Sequence, residues 1–147
     1  MSDTKRERII KAIETRMATI TIANGYNTEI GKNVFRAIPK IDPSQLPACD
    51  IFPLTETTER IGGGNYLCTM ALNIVAIAKT ESQNPSVLSE QILGDIRMAL
   101  AGLSFSSDAE DVSYASGGTN DYSNKDTVSI TVNFIIKYFS KINDPYT

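Results

Sequence analysis

The 147-residue sequence contains no histidine and no tryptophan, and it has only two cysteines, Cys49 and Cys68. Without histidine the chain lacks the commonest general base and the imidazole ligand on which most zinc and copper sites depend. Both cysteines lie in apolar segments, a setting that favours buried free thiols over a redox or metal role. The sequence therefore predicts no disulfide bond and fits a reducing compartment.

Familiar catalytic and nucleotide-binding motifs are also missing, since the sequence has no GxSxG, HExxH or GxGxxG pattern and no EF-hand loop. The three glycines at 62–64 lack the Lys-Ser or Lys-Thr that closes a P-loop, and they predict a hairpin turn. Four acidic residues near the polar segment match no known cation-binding loop: Asp108, Glu110, Asp111 and Asp121. We therefore expect no enzyme, no cofactor and no metal site.

No apolar run approaches the roughly 18 residues needed for a membrane-spanning helix, and the N-terminus MSDTKRERII lacks an apolar signal core. The formal net charge is −3 and the sequence pI is 4.9, so the overall charge does not favour nucleic acid as a partner. These features predict a soluble intracellular protein that forms a single domain over residues 1–147.

Two long stretches, residues 66–79 and 127–139, alternate apolar and polar positions, which is the pattern of strands with one face in a core. In the second stretch the apolar positions are Val128, Ile130, Val132, Phe134, Ile136 and Tyr138. Their Thr, Ser, Asn and Lys neighbours would face water or a partner.

Helical spacing predicts two helices, at 4–21 and 85–101, which start at a Thr4/Glu7 capping box and at Asn84-Pro85. Shorter strands are expected at 27–37, 48–57 and 111–115, with Pro53 at an edge or a bulge. The predicted fold is thus α+β: a two-layer arrangement with a mainly antiparallel or mixed sheet of about four to five strands. Two helices pack on one face, and the order along the chain is α-β-β-β-α-β-β.

Two segments outside the predicted core are candidate contact surfaces. On the first helix, basic and acidic residues gather on opposite flanks of the apolar stripe. The basic flank is Lys5, Arg8, Lys11 and Arg16, and the acidic flank is Glu7 and Glu14. Residues 116–126 are predicted to be a mobile loop that orders on a partner, through Gly117, Gly118, Asn120, Asp121 and Tyr122. Residues 140–147 are expected to form an extended C-terminal tail.

The amphipathic first helix is followed by NGYNTEIGKNVFRA and PACDIF, and the strand YLCTMALNIVAIAK by NPSVLSEQILGDIRMAL. The last strand leads into IIKYFSKINDPYT. Together these segments resemble the tail terminator, or tail completion, proteins of long-tailed bacteriophages, the group that includes the minor tail protein U type. The resemblance covers most of the chain and rests on pattern and element order.

This resemblance implies a non-enzymatic virion protein that forms a hexameric ring on the finished tail tube and stops further polymerisation. The implied partners are other copies of the chain, the tail tube protein and the head–tail connector or neck protein, while DNA only passes through the lumen. The implied location is the head-proximal end of the tail, after assembly in the host cytoplasm. A phage head-closure or neck protein, or a small binding module unrelated to phages, stays open as an alternative. The basic flank could face a neighbour, the lumen or solvent.

Overall fold

A computed structural model describes residues 2–101, 106–122, 124 and 126–147. Within those residues the chain forms two α-helices and five strands in the predicted α-β-β-β-α-β-β order. The helices are α1 (Lys5–Met17) and α2 (Pro85–Ala99). The strands are β1 (Val34–Arg36), β2 (Ala48–Ile61), β3 (Asn65–Lys79), β4 (Asp111–Asp121) and β5 (Thr127–Lys141). The predicted α+β class is confirmed.

The strands form one mixed sheet in the order β1-β2-β3-β5-β4, which differs from their order along the chain. Strand β1 is parallel to β2, whereas the other neighbours are antiparallel. The two central strands, β3 and β5, are paired from Asn65 opposite Lys141 to Lys79 opposite Thr127. They are the two stretches whose alternation is most regular in the sequence.

Both helices bury their apolar stripes on one face of this sheet. The core contains Ile9, Ile13 and Met17 of α1, Ile92 and Ile96 of α2, and the alternate residues of β3 and β5 from Cys68 to Ala78 and from Val128 to Tyr138. The opposite face is half exposed, and no element in the described part of the chain covers it. It presents Leu67, Val75 and Ile135 among Thr, Asn and Ser side chains. Such one-sided burial is the usual state of an antiparallel sheet.

The predicted strand at 27–37 is wrong over most of its length, because only Val34–Arg36 pair with β2. Short 3-10 turns at Ile22–Asn24 and Ile30–Lys32 precede it. The Gly31 amide donates to the carbonyl of Ile20 at 2.9 Å, and a Cβ on Gly31 would lie 2.3 Å from the carbonyl oxygen of Met17. The backbone thus folds against the end of α1 rather than running extended.

Strand β2 continues past its predicted end at residue 57 to Ile61. The register against β3 shifts between Pro53 and Glu56, which confirms the expected irregularity at this proline. The predicted helix at 4–21 is shorter, since α1 ends at Met17, and α2 ends at Ala99 rather than at residue 101.

The prediction of a mobile loop at 116–126 is wrong for residues 116–121, which continue β4 and pair with β5 from Ser116 opposite Asn133 to Asp121 opposite Ser129. Polar residues are accommodated there because β4 is an edge strand whose outer side faces solvent. Residues 123 and 125 of that predicted loop lie outside the described residues.

The predicted extended tail at 140–147 is also wrong. Ser140 and Lys141 belong to β5, and the chain then turns back on itself. The Ile142 amide donates to the carbonyl of Gly64 at 3.0 Å, and the Lys5 amide donates to that of Pro145 at 2.9 Å. The C-terminal residues therefore satisfy one of the free amides in the first turn of α1.

Candidate assembly surfaces

Arg8, on the basic flank of α1, is occupied within its own subunit. Its Nε lies 3.1 Å from Oδ2 of Asp108 and its Nη2 lies 3.2 Å from Oδ1 of the same carboxylate. Its Nη1 also donates to the carbonyls of Asp3 and Tyr146, each at 3.0 Å. The hydrogen-bonded Asp108 carboxylate raises the pKa of Arg8. Arg8 thus joins α1 to both chain ends and to the segment before β4.

Two further basic side chains on this flank are also engaged. Lys11 Nζ lies 2.7 Å from Oδ2 of Asp3, and Arg16 Nε donates to the carbonyl of Ala99 at 2.8 Å. The Lys5 ammonium makes no hydrogen bond or ion pair with any described residue. Of the four predicted basic contacts, Lys5 and Arg16 have no carboxylate partner among the described residues, and Lys5 has no hydrogen bond from its ammonium there either.

The acidic flank of α1 faces the edge of its own sheet. Arg36 of β1 donates from Nη2 to Oε1 of Glu7 at 2.7 Å, and its Nε lies 3.6 Å from Oε1 of Glu14. Arg36 lowers the pKa of Glu7 through these contacts. Thr4 caps the helix by accepting the Glu7 amide at 3.1 Å, but the predicted capping box is only half formed, because the Glu7 carboxylate pairs with Arg36. Arg36 is not recognisable as a partner from the sequence, because it is distant in sequence from both glutamates and no local motif surrounds it.

The residues predicted to contact a partner at 116–126 lie on the β4 edge and at its end. A Cβ on Gly117 would lie 3.0 Å from Cδ1 of Leu93 on α2, so a glycine at this position lets β4 pack closely against α2. Asn120 bonds to Ser129 and Thr131 of β5, each at 2.8 Å. The hydroxyl of Thr119 bonds to Ser89 of α2 and lies 3.1 Å from that of Tyr122.

The two predicted contact groups do not form one site. Arg8 lies beside the segment that precedes β4, whereas Tyr122 follows its last residue. Tyr122 is 54% exposed, and Gly118 has open space at its Cβ position. The end of β4 is therefore a separate surface next to the start of α2.

A polar cluster that no sequence pattern indicates lies between α1, β2 and β5. The Tyr138 hydroxyl donates to Oε1 of Glu56, which also pairs with Nη1 of Arg6 at 3.3 Å. Arg6 Nη2 donates to the carbonyl of Leu54 at 2.6 Å. Burial raises the pKa of Tyr138 and that of the neighbouring Cys68 thiol. The cluster holds protonated groups and one paired carboxylate, an arrangement that stabilises packing and supplies no activated nucleophile.

A surface cavity of 570 Å³ lies where β3 leads into α2. Its lining includes Lys32 and Lys79 with Glu29 and Glu81, as well as several threonines. Glu81 and Ser82 have φ angles of 47° and 74°, an uncommon conformation for residues with a Cβ. The described residues contain no group of three or more Cys, Asp or Glu placed to hold a metal ion.

Among the described residues, two strand edges of the sheet have no strand partner. Strand β4 pairs with β5 on one side only. On the opposite side of the sheet, β1 covers residues 49–51 of β2, and residues 56–61 of β2 pair with β3 alone. Such edges carry unpaired N–H and C=O groups that another strand can bind.

The sequence matches no protein-family profile and no curated protein. Among the described residues, neither helix has the length and apolar character required to cross a membrane.

Proposed function

We propose that this chain is a ring-forming tail terminator of a long-tailed bacteriophage. In this role it caps the tail tube, stops tube polymerisation and provides the surface to which the head connector binds. The protein is then a non-enzymatic part of the virion, at the head-proximal end of the tail, and DNA passes through the ring. The observation that carries the proposal is the pair of free strand edges on opposite sides of one sheet.

A closed ring requires a heterologous interface, in which two different surfaces of each subunit meet. The β2 edge and the β4 edge are two such surfaces, and three antiparallel pairings separate them. The helices cover only one face of the sheet, so the edges and the other face remain available. A hexamer, as the resemblance implies, would use each edge once per subunit.

The state of the ionisable groups supports a structural role. Asp95 is buried and accepts three hydrogen bonds from Asn27 and Thr28. Glu56 is paired with Arg6 and Tyr138, and burial raises the pKa of the Cys49 thiol to about 12. The two carboxylates hold the fold together through these hydrogen bonds, and the Cys49 thiol stays protonated near neutral pH, so it is not an activated nucleophile.

Tube assembly in the presence of the purified chain tests this proposal. Tail tube protein should polymerise to open-ended tubes alone and to shorter, capped tubes when the chain is added. Electron microscopy should show a ring at one tube end, and native mass spectrometry should give a single closed oligomer. Tubes of unchanged length without a bound ring would contradict the proposal.

The cavity near Lys32 and Lys79 favours a second candidate, a small binding module. Its volume of 570 Å³ lies within the range of small-molecule sites, and its lining includes both positively and negatively charged side chains. A module of this kind would be a monomer or dimer at every concentration and would gain thermal stability from a charged metabolite. Light scattering combined with a metabolite screen distinguishes the two candidates.

A further inference from the structure

We infer that neighbouring copies join edge to edge, with residues 56–58 of β2 in one copy paired antiparallel to residues 110–112, at the start of β4, in the next. The inference rests on the proposed ring and identifies the contact that builds it. Both edges lack a strand partner within the described part of the subunit. A second copy of the chain supplies the missing strand to each.

The strand directions fit this pairing. Strands β2, β3, β5 and β4 are each antiparallel to the next, so three reversals leave β2 antiparallel to β4. A second copy in the same orientation, placed beside the first, therefore brings its β2 edge antiparallel to the β4 edge. The alternation of the sheet then continues across the interface.

The residue pairings across the sheet show which residues of β2 and β4 lie at the same height along the strands. Thr57 of β2 is paired with Thr69 of β3. Thr69 is paired with Lys137 of β5, and Lys137 is paired with Asp111 of β4. In a level continuation of the sheet, Thr57 of one copy therefore faces Asp111 of the next.

The irregularities of the two edges coincide as well. Pro53 is level with Tyr114 through Leu72 and Phe134, and the register shifts after Pro53 in β2 and after Tyr114 in β4. Arg6 also occupies the carbonyl of Leu54 just beyond this level. Residues 56–57 of β2 and 111–112 of β4 thus lie on the same side of both register shifts, whereas residues 116–121 of β4 lie on the other side, at the height of residues 48–52 of β2.

Charge favours this contact over a two-fold pairing of β4 with itself. When Thr57 faces Asp111, Thr58 faces Glu110, and Arg60 lies two residues further along. The Arg60 and Glu110 side chains form no ion pair with a described residue, and an arginine reaches a diagonal neighbour across paired strands. A β4–β4 pairing centred on Ser116 would instead set Asp111 opposite Asp121, and like charges in that position repel.

Charge reversal tests the Arg60–Glu110 contact. Arg60→Glu and Glu110→Arg should each weaken ring assembly, raising the dissociation constant of the interface about three- to fivefold in sedimentation measurements. The double variant should recover the wild-type value. Lys40→Glu is the matched control, because Lys40 is an exposed cation in the segment between β1 and β2 and is not among the residues of the inferred pairing. The contact would be overturned if the single variants assembled like Lys40→Glu, or if the double variant assembled more weakly than either single variant.

Cysteine cross-linking tests the strand register. Directly opposed residues of antiparallel strands have Cα atoms about 4.5–5.5 Å apart, within disulfide reach. The variant carrying Thr57→Cys and Asp111→Cys should oxidise to a ladder that ends at the full ring, whereas each single variant should not. Cys49 and Cys68 are buried and do not compete.

The outcomes separate this inference from the proposed function. If rings form normally, do not cross-link and are unaffected by the charge reversals, the edge contact is overturned and the proposed ring still stands. Cross-linked open filaments keep the edge contact and overturn the closed ring. A chain that stays monomeric at all concentrations, with or without tail tubes, overturns both.

Discussion

The Arg8 guanidinium and the Asp108 carboxylate, 100 residues apart in the chain, form a two-point ion pair at 3.1 and 3.2 Å. The same guanidinium holds the carbonyls of Asp3 and Tyr146. Arg8 therefore fixes both chain ends to α1. A charge on a solvent-facing helix flank can serve tertiary structure rather than assembly, and the sequence pattern alone does not separate the two roles.

Arg8→Gln should lower the free energy of unfolding by about 1 kcal/mol, since several hydrogen bonds to one charged group are lost at a partly exposed site. Lys11→Gln removes a more exposed pair with Asp3 and should have a smaller effect. Urea unfolding of the two variants measures the difference. Equal midpoints would mean that the Arg8 contacts contribute nothing beyond an ordinary surface pair.

The central strands could be predicted from sequence because alternation over 13 or more residues records which face is buried, as in β3 and β5. Strand β4 was predicted only to residue 115, because an edge strand has one hydrogen-bonded side and tolerates glycine and polar residues. Arg36, Glu56 and Asp108 were not recognised as partners of α1. Their positions depend on the folding of distant segments, and no local pattern records such contacts.

Gly31→Ala should destabilise the fold by about 1–3 kcal/mol, because the new methyl group would overlap backbone atoms that cannot move freely. Its Cβ would lie 2.3 Å from the Met17 carbonyl oxygen and 2.8 Å from the Ile20 amide nitrogen. Gly62→Ala is the matched control, since nothing lies within 4 Å of its Cβ position. It should change stability by less than about 0.5 kcal/mol. Thermal unfolding that ranks the pair in the reverse order would mean that the 27–32 segment does not pack on α1.

Phe134→Ala should cost about 3–5 kcal/mol, because it opens a cavity in the core. Phe134 is 2% exposed, and its ring meets that of Tyr114 edge to face at 6.0 Å. Thr131→Ala on the same strand removes a hydrogen bond to Asn120 on the uncovered face and should cost about 1 kcal/mol or less. Chemical denaturation compares them. Equal losses would indicate that the two faces of β5 are assigned the wrong way round.

Asp95→Ala should destabilise the protein by about 2–4 kcal/mol, since it leaves buried donors without an acceptor. The carboxylate accepts the Asn27 amide at 3.1 Å, the Thr28 amide at 2.8 Å and the Thr28 hydroxyl at 2.6 Å. Asp95→Asn keeps one carbonyl oxygen and should lose less, while Glu90→Ala on the exposed side of α2 should be nearly neutral. Hydrogen exchange at Asn27 and Thr28 should accelerate in Asp95→Ala. Unchanged protection there would rule out this anchoring role.

Ionisation of Cys49 should make stability depend on pH in the alkaline range. Burial raises the pKa of this thiol from its ordinary value of 9.0 to about 12 in the folded chain. A pKa that is higher in the folded state gives a contribution that is complete below about pH 9 and is lost as pH rises towards 12. Wild type should therefore lose about 1–2 kcal/mol relative to Cys49→Ala between about pH 8 and pH 10.5. The comparison cancels the titration of lysine and tyrosine residues common to both chains.

In native protein near pH 8 the Cys49 thiol should resist a disulfide reagent and should react after denaturation. Parallel stability curves for the two chains, or rapid labelling of native Cys49, would show that the thiol is open to water and that the β2 start is not packed as described.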